Sequence, residues 1–180
     1  MGAPGRAQSI RVVLLLLAAT PAPLTGQLMS GDPVHIYRRD GMWFNAGLGT
    51  GIGNGIGGQS ANLALGWSLS PHLLVAVGSS DWRDSIDRAT LTLGTLDTRV
   101  QFYPQLDGGF FLTGGLGLGY MWLSDSGNGP DIGRAIVIGL GYDARIRENV
   151  SITTFINWAD IHTPDPRGNV AQIGIGLTFH

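Results

Sequence analysis

The dominant pattern in this chain is an alternation, with a period of two, of bulky apolar residues and small or polar ones. Between residues 110 and 122, for example, one face carries Leu112, Leu116 and Leu118, and the other carries Thr113 and glycines. The same alternation recurs in segments at about 41–52, 59–69, 72–82, 88–103, 134–146, 149–159 and 169–180. A period of two is typical of β-strands. Each of the eight segments is close to the length of about 9–11 residues with which a tilted strand crosses a bilayer.

The connectors between these segments alternate in length. Residues 70–71, 105–109 and 147–149 form short turns, whereas residues 53–58, 83–87, 123–133 and 160–168 form longer, polar or Gly-rich loops. Short turns at one end and longer loops at the other are typical of an up-and-down barrel. In the fourth segment Leu91 and Leu93 are out of phase with Leu96, and a β-bulge near Gly94-Thr95 would restore the phase.

The composition indicates which face meets which environment. Of the 180 residues, 43% are hydrophobic and only 13% are charged, against about a quarter charged in soluble domains. The polar face is small and mostly uncharged, which suits a narrow lumen. The apolar face suits lipid, where a charge at mid-depth costs about 2–4 kcal/mol. The sequence therefore predicts an all-β fold, an eight-stranded antiparallel up-and-down transmembrane β-barrel over residues 41–180. A soluble periplasmic lipocalin-like binding barrel, with the faces reversed, is the alternative.

A cluster of polar side chains is expected in the lumen. It comprises Asn45, Asn62, Asp97, Arg99, Gln101, Asp143, Arg145, Asn157 and Gln172. A barrel of eight strands is filled by side chains, and an unpaired buried charge is very costly. We therefore expect an Arg99–Asp143 bridge across the lumen, grouped with Asp97 and Arg145. A plug of ion pairs is the structural interpretation, and a narrow, gated ion path is the functional alternative.

The aromatic residues lie near the predicted strand ends. Amphipathic rings favour the membrane–water interface, so the sequence predicts two interfacial belts. The belt residues are Trp43, Trp67, Trp82, Phe102, Phe110, Tyr120, Trp122, Trp158 and Phe179.

The first residues have the features of an export signal. Arg6 and Arg11 precede an apolar run at 12–19 that is shorter than a membrane-spanning helix. We predict a signal peptide over residues 1–26, cleaved after Gly26, and a periplasmic N-terminal segment over residues 27–40. The 11 basic and 13 acidic residues give a net charge of −2, so no basic footprint for nucleic acid is present.

Three stretches carry a resemblance to a known group of proteins. They are residues 41–49, the Gly/aromatic alternation at 114–120, and the tail at 174–180. With them the chain resembles the small outer-membrane β-barrel proteins of Gram-negative-type bacteria, the OmpA/OmpX-like group. In the tail, Gly174, Leu177 and Phe179 resemble the C-terminal assembly signal of that group, although Phe179 is penultimate. The resemblance implies localisation in the outer membrane, contact with outer-membrane lipid, and a transient partner in the barrel assembly machinery. We expect a monomer.

Residues that could carry chemistry are few, and we predict no catalytic, cofactor-binding or metal site. Residues 53–58 match Gly-x-Gly-x-x-Gly, but no helix follows them. The four histidines are scattered, and the chain has no cysteine. His162 with Asp160, near Asn157, leaves a lipid A-modifying rim enzyme as an alternative, although no serine adjoins His162. The expected role is envelope integrity or surface interaction without catalysis, with a narrow channel for ions or small solutes as a further alternative.

Overall fold

The computed structural model describes residues 39–86, 89–124, 129–164 and 167–180. The predicted signal peptide lies outside these residues, as does the predicted 27–40 segment except for Arg39 and Asp40. Among the described residues, no helix has the length and apolar character needed to cross a membrane.

Eight antiparallel strands follow one another along the chain and close into a barrel in sequence order. The strands are β1 (Gly41–Gly53), β2 (Ile56–Ser70), β3 (Leu73–Ile86), β4 (Ala89–Phe102), β5 (Phe110–Leu123), β6 (Asp131–Arg147), β7 (Val150–His162) and β8 (Arg167–Phe179). The all-β, up-and-down barrel expected from the alternation is confirmed. Each strand has 13–17 residues and therefore extends past the hydrocarbon layer that about 9–11 residues would span.

The barrel closes by pairing β1 with β8, from Phe44 opposite Phe179 to Gly53 opposite Val170. The rings of Phe44 and Phe179 stack across this seam with centroids 6.4 Å apart. Closure leaves no unpaired strand edge, which a bilayer interior requires because it offers no water to free backbone groups.

The bulge expected near Gly94-Thr95 is wrong. Strand β4 pairs with both neighbours in continuous register through these residues, and the register shifts occur at Ser68/Ser70 and Arg145/Arg147 instead. Leu93 is out of phase with Leu96 because it faces inward, where it is 1% exposed. The lumen lining is therefore apolar at Leu93, and no bulge is needed to explain the change of phase.

The long Gly-rich loop expected at 53–58 is also wrong. Strands β1 and β2 continue through these glycines and are joined by the two-residue turn Asn54-Gly55, whose φ values are 48° and 85°. Positive φ at both positions, in the sequence Asn-Gly, is the signature of a type I′ hairpin turn. At the opposite end the short connectors are Pro71-His72, 103–109 and Glu148-Asn149.

The outer surface is apolar, as the alternation predicted. Leu48 is 70% exposed, Leu116 66% and Ile132 59%, and isoleucines, leucines and valines line every strand from outside. Inside, two clusters of buried apolar side chains lie at opposite ends. The turn-end cluster comprises Trp43, Ala64, Leu74, Ala76, Tyr103 and Phe111. The loop-end cluster comprises Trp82, Leu93, Met121, Ala135, Ile161 and Val170.

Candidate functional site

The lumen between the two apolar clusters holds the polar residues that the alternation assigned to the inner face. Asn45, Asn62, Asp97, Arg99, Gln101, Asp143, Asn157 and Gln172 are all buried. They have this position because each lies in phase with glycine, serine or threonine on its strand.

Arg99 forms an ion pair with Asp97, two residues away on the same face of β4, with its Nε 2.8 Å from Oδ1. A second bond joins Nη2 to Oδ2 at 2.9 Å, and Thr95 donates to the same carboxylate. Gly78 stands beside this pair on β3, and a β-carbon there would collide with the guanidinium. The glycine thus provides the space in which the long arginine side chain folds back along its own strand.

The predicted Arg99–Asp143 bridge is wrong. Asp143 is instead bound by hydroxyl groups: Tyr103 donates to Oδ2 at 2.6 Å and Thr153 donates to Oδ1 at 2.6 Å. The buried carboxylate of Asp143 thus accepts from two hydroxyl groups. Arg99 pairs with Asp97, which is only two residues away along the chain. The lumen therefore holds two local polar groups in place of one bridge across it.

Arg145, also expected in this cluster, is half-buried at the turn end of β6. Its Nε donates to the carbonyl oxygen of Arg147 at 3.0 Å, and its Nη2 donates to the carbonyl oxygen of Glu148. The register between β6 and β7 shifts at the same place, between Arg145 and Arg147. Arg145 therefore bonds to turn carbonyls at the end of its strand.

Tyr103 is the central residue of the turn end, and the alternation did not identify it. Gln101 donates to its hydroxyl at 2.9 Å, and the Arg39 guanidinium lies 3.6 Å from the centre of its ring. Burial, reinforced by the negative charge of Asp143, raises the pKa of the Tyr103 phenol well above its ordinary value. The phenol therefore remains protonated and donates to the carboxylate.

Arg39 is buried at the turn end of the barrel. It is 2% exposed and donates to the carbonyl oxygens of Leu106, at 3.5 Å, and Gly108 in the β4–β5 connector. His180 lies near the same end, with its Nε2 3.7 Å from Asp143 Oδ2. Arg39 therefore lies over the ring of Tyr103, and His180 lies near the carboxylate of Asp143.

Three of the remaining lumen amides bond to other strands. Asn45 donates to Thr178 Oγ1 at 2.8 Å, and Asn62 donates to Ser80 Oγ at 3.0 Å. Gln172 reaches the carbonyl oxygen of Asp81 at 3.5 Å. Asn157 lines a cavity of about 30 Å³ in the middle of the lumen, together with Arg99. Such a volume holds about two water molecules, far less than a solute path.

Two of the predicted belt residues are not in a belt. Trp43 is 3% exposed and Trp82 is fully buried, and both point into the lumen. Trp82 fits because Gly53 and Gly58 leave room against its indole, whose Nε1 donates to the Gly51 carbonyl oxygen at 3.2 Å. The phase of each strand could have identified them, since Trp43 has the same parity as Asn45.

The other predicted belt residues face outward at the two ends of the barrel. Tyr120 is half-buried there and lies across Gly94, where its hydroxyl bonds Asp81. The others are 40–55% exposed, namely Trp67, Phe102, Phe110, Trp122, Trp158 and Phe179. The sequence reasoning missed the lumen rings of Phe111 and Phe155, which could have been identified from the same parity.

The three residues of the predicted assembly signal lie on β8. Leu177 and Phe179 face outward, whereas Gly174 faces the lumen. A β-carbon at Gly174 would meet the ring of Phe155, which also lies against Gly47. Gly174 therefore has a packing role that is separate from any recognition signal.

His162 lies on the outer face of β7 with its Nδ1 3.3 Å from Asp160 Oδ2. Asn157 points to the opposite face of the same strand and does not join this pair. In the described part of the chain, no serine hydroxyl bonds the His162 ring. The described residues also contain no group of three or more His, Cys, Asp or Glu placed to hold a metal ion. Among the described residues, the pair is therefore not joined to a serine nucleophile.

Solved structures with this architecture are known. Ail of Yersinia pestis, crystallised with the heparin analogue sucrose octasulfate, is 14% identical, with a TM-score of 0.60 over 78% of this chain and 99% of its own. Neisserial surface protein A is 13% identical, with a TM-score of 0.60 over 77% and 96%. The N-terminal barrel domain of Pseudomonas aeruginosa OprF is 16% identical, with a TM-score of 0.53 over 79% and 100%.

No protein-family model and no curated protein matches the sequence. The structural likeness shows that the chain has the fold of the small eight-stranded outer-membrane barrels. This agrees with the resemblance that the sequence pattern indicated.

Proposed function

We propose that this protein is an integral outer-membrane barrel with a structural role, in envelope integrity or surface contact, and that it neither conducts solutes nor catalyses a reaction. The observation that carries the proposal is the packed lumen. An apolar cluster fills each end, the Arg99–Asp97 pair lies between them, and the cavity in the middle measures about 30 Å³.

The exterior supports the membrane placement. A soluble barrel would cover its outside with charge, whereas the large exposed side chains here are mostly leucine and isoleucine, with valine and aromatic residues. Contiguous exposed apolar surface of this extent marks contact with lipid or another apolar partner. Outer-membrane lipid is the partner proposed for this surface, and we expect the barrel assembly machinery to insert the protein as a monomer.

The channel alternative is less well supported. A water-filled path would need the loop-end cluster to open, and Trp82, Leu93 and Ile161 there are each at most 1% exposed. An ion would also meet Arg99 already neutralised by Asp97. The enzyme alternative lacks, among the described residues, a serine hydroxyl bonded to the His162 ring.

Fractionation, gel mobility and conductance test the proposal together. We expect the protein in the outer-membrane fraction, with faster gel mobility before boiling than after, and no steady conductance in planar bilayers. Recovery from the periplasm without detergent would mean that the faces are reversed. Steady conductance whose ion selectivity changes in Arg99→Gln would establish the channel instead.

Lipid A composition tests the absence of catalysis. Mass spectra of lipid A should be the same with and without expression of the protein. A change in acylation that His162→Ala abolishes, with the barrel still inserted, would establish a rim enzyme.

A further inference from the structure

Three basic side chains lie next to one another on the outer face of the barrel at its loop end. Arg134 on β6 is paired in register with His162 on β7, and His162 is paired with Arg167 on β8. Even-numbered residues of β6 and β7 and odd-numbered residues of β8 face outward, so all three side chains lie on the exterior. We call these residues the rim triad.

Within the described residues, His162 of the rim triad has an anionic partner and the two arginines have none. Asp160 pairs with His162, with its carboxylate 3.3 Å from Nδ1. Neither Arg134 nor Arg167 forms an ion pair or a side-chain hydrogen bond there. Like charges on facing positions of neighbouring strands are destabilising, so two arginines flanking a histidine favour the presence of an anion. A cleft of about 660 Å³, which Thr163 and Pro164 also line, lies beside the triad.

The height of the triad on the barrel corresponds to a headgroup layer. His162 lies four residues above Trp158 on the same face of β7, which is about 13 Å along a strand and about 10 Å in height at the usual tilt. The belt ring of Trp158 marks the membrane–water interface. Arginine side chains can extend back toward this interface, where phosphate groups lie.

Below the triad, the outward positions become apolar within two rows. The next outward residues on the three strands are Ile136, Asp160 and Asn169, and the following ones are Ile138, Trp158 and Ala171. The triad therefore lies just above the apolar part of the outer face on these three strands. Arginine is well suited to phosphate because its planar group can donate two parallel hydrogen bonds.

We propose that the rim triad binds the phosphate group of a membrane lipid headgroup at the outer interface of the barrel. Arg134 and Arg167 would each donate to phosphate oxygens from either side, and His162 would lie between them. A phosphomonoester carries a charge of about −1.5 to −2, which would offset the two arginines. This inference rests on the membrane placement proposed above and names a partner for it.

Lipid binding to the protein purified from membranes in non-ionic detergent tests the inference. Dioleoyl phosphatidic acid and dioleoyl glycerol differ by the phosphate alone, and native mass spectrometry counts the lipid retained. We expect phosphatidic acid to be retained in preference to the glycerol. Arg134→Gln/Arg167→Gln should weaken its retention by at least about tenfold, because two charge-assisted contacts are lost.

The matched control is Arg83→Gln/Arg147→Gln, which removes the same charge from exposed arginines elsewhere. It should change retention less than about threefold, which is below the loss expected for direct contacts. Arg134→Lys/Arg167→Lys keeps the charge but loses the paired donors, so it should weaken retention less than the Gln pair does. Binding by this variant would show that substitution at these positions still allows the barrel to insert. Equal weakening by both Gln pairs would indicate general charge attraction and overturn the inference.

Three further outcomes separate the possible sources of failure. If inorganic phosphate displaces the lipid at equal concentration, the ligand is free phosphate and the lipid assignment is overturned. If the unsubstituted protein lacks heat-modifiable mobility and membrane partition, the proposed function fails first. If both are normal but the rim variant binds like the unsubstituted protein, only this inference fails.

Discussion

The hydroxyl of Tyr103 donates a hydrogen bond of 2.6 Å to the carboxylate of Asp143, which joins the end of β4 to β6 inside the barrel. Thr153 on β7 donates to the other carboxylate oxygen, and Gln101 donates to the Tyr103 hydroxyl. Hydroxyl groups therefore satisfy a carboxylate that is 1% exposed. These side chains form one hydrogen-bonded network at the turn end of the lumen, and Arg39 lies over the ring of Tyr103.

Replacing Tyr103 with phenylalanine should destabilise the barrel by about 1–3 kcal/mol, because a buried carboxylate loses a donor. The free energy of unfolding can be measured by urea titration of the protein in lipid vesicles. Tyr142→Phe is the matched control, since Tyr142 faces outward and is 50% exposed. Equal effects of the two substitutions would show that the bond to Asp143 contributes nothing specific.

The raised pKa of Tyr103 predicts a loss of stability at high pH. The phenol has a higher pKa in the folded barrel than the ordinary value of 10.0 in the unfolded chain. Above pH 10 the unfolded chain therefore releases a proton that the folded barrel retains, and the free energy of unfolding falls as pH rises. Below pH 10 this contribution is fully present.

Urea titrations from neutral pH to above pH 10 measure this dependence. The decline above pH 10 should be steeper for the unsubstituted protein than for Tyr103→Phe, which has no phenol at this position. Tyr142→Phe should decline like the unsubstituted protein. Parallel curves for the unsubstituted protein and Tyr103→Phe would mean that the phenol titrates alike in both states.

The strands and their faces could be predicted from the sequence because burial in a barrel follows a period of two. Asn62, Asp97 and Gln172 face inward where the alternation assigned them, and Leu116 faces outward. The same parity, carried through β3, would also have placed Trp82 inside with Ser80. Nearness to a strand end was the weaker criterion, since a ring can fill the lumen wherever glycines face it.

The polar pairings inside the lumen could not be predicted in the same way. Parity gives the face of a side chain but not its reach or the empty volume beside it. Arg99 turns toward Asp97 because Gly78 leaves space on that side. Asp143 is reached by Tyr103, which lies one residue beyond β4 and outside the strand pattern. Both outcomes depend on packing between strands.

The Arg99–Asp97 pair predicts strong coupling in a double-mutant cycle. Asp97→Asn should lower the free energy of unfolding by about 3–5 kcal/mol, because it leaves a buried guanidinium uncompensated. Arg99→Gln should lower it by a similar amount, because it leaves the buried carboxylate of Asp97 uncompensated. The double variant should be less destabilised than the sum of the two, since it leaves no buried charge. Urea titration measures all three, with Asp107→Asn in the exposed β4–β5 connector as the control. Additive effects would contradict the pairing.

The positions of the five tryptophans predict how brominated lipid quenches the fluorescence of the inserted barrel. Bromine quenches by contact, so Trp67, Trp122 and Trp158, at 40–55% exposed, should be quenched, whereas the lumen-facing Trp43 and Trp82 should be shielded. Trp82→Phe should therefore raise the quenched fraction of the remaining emission. Trp158→Phe, at the same end of the barrel, should lower it. Comparing vesicles of brominated and ordinary phosphatidylcholine measures both, and a fall in the quenched fraction on removing Trp82 would place that ring in lipid, because only a ring in contact with bromine contributes quenchable emission.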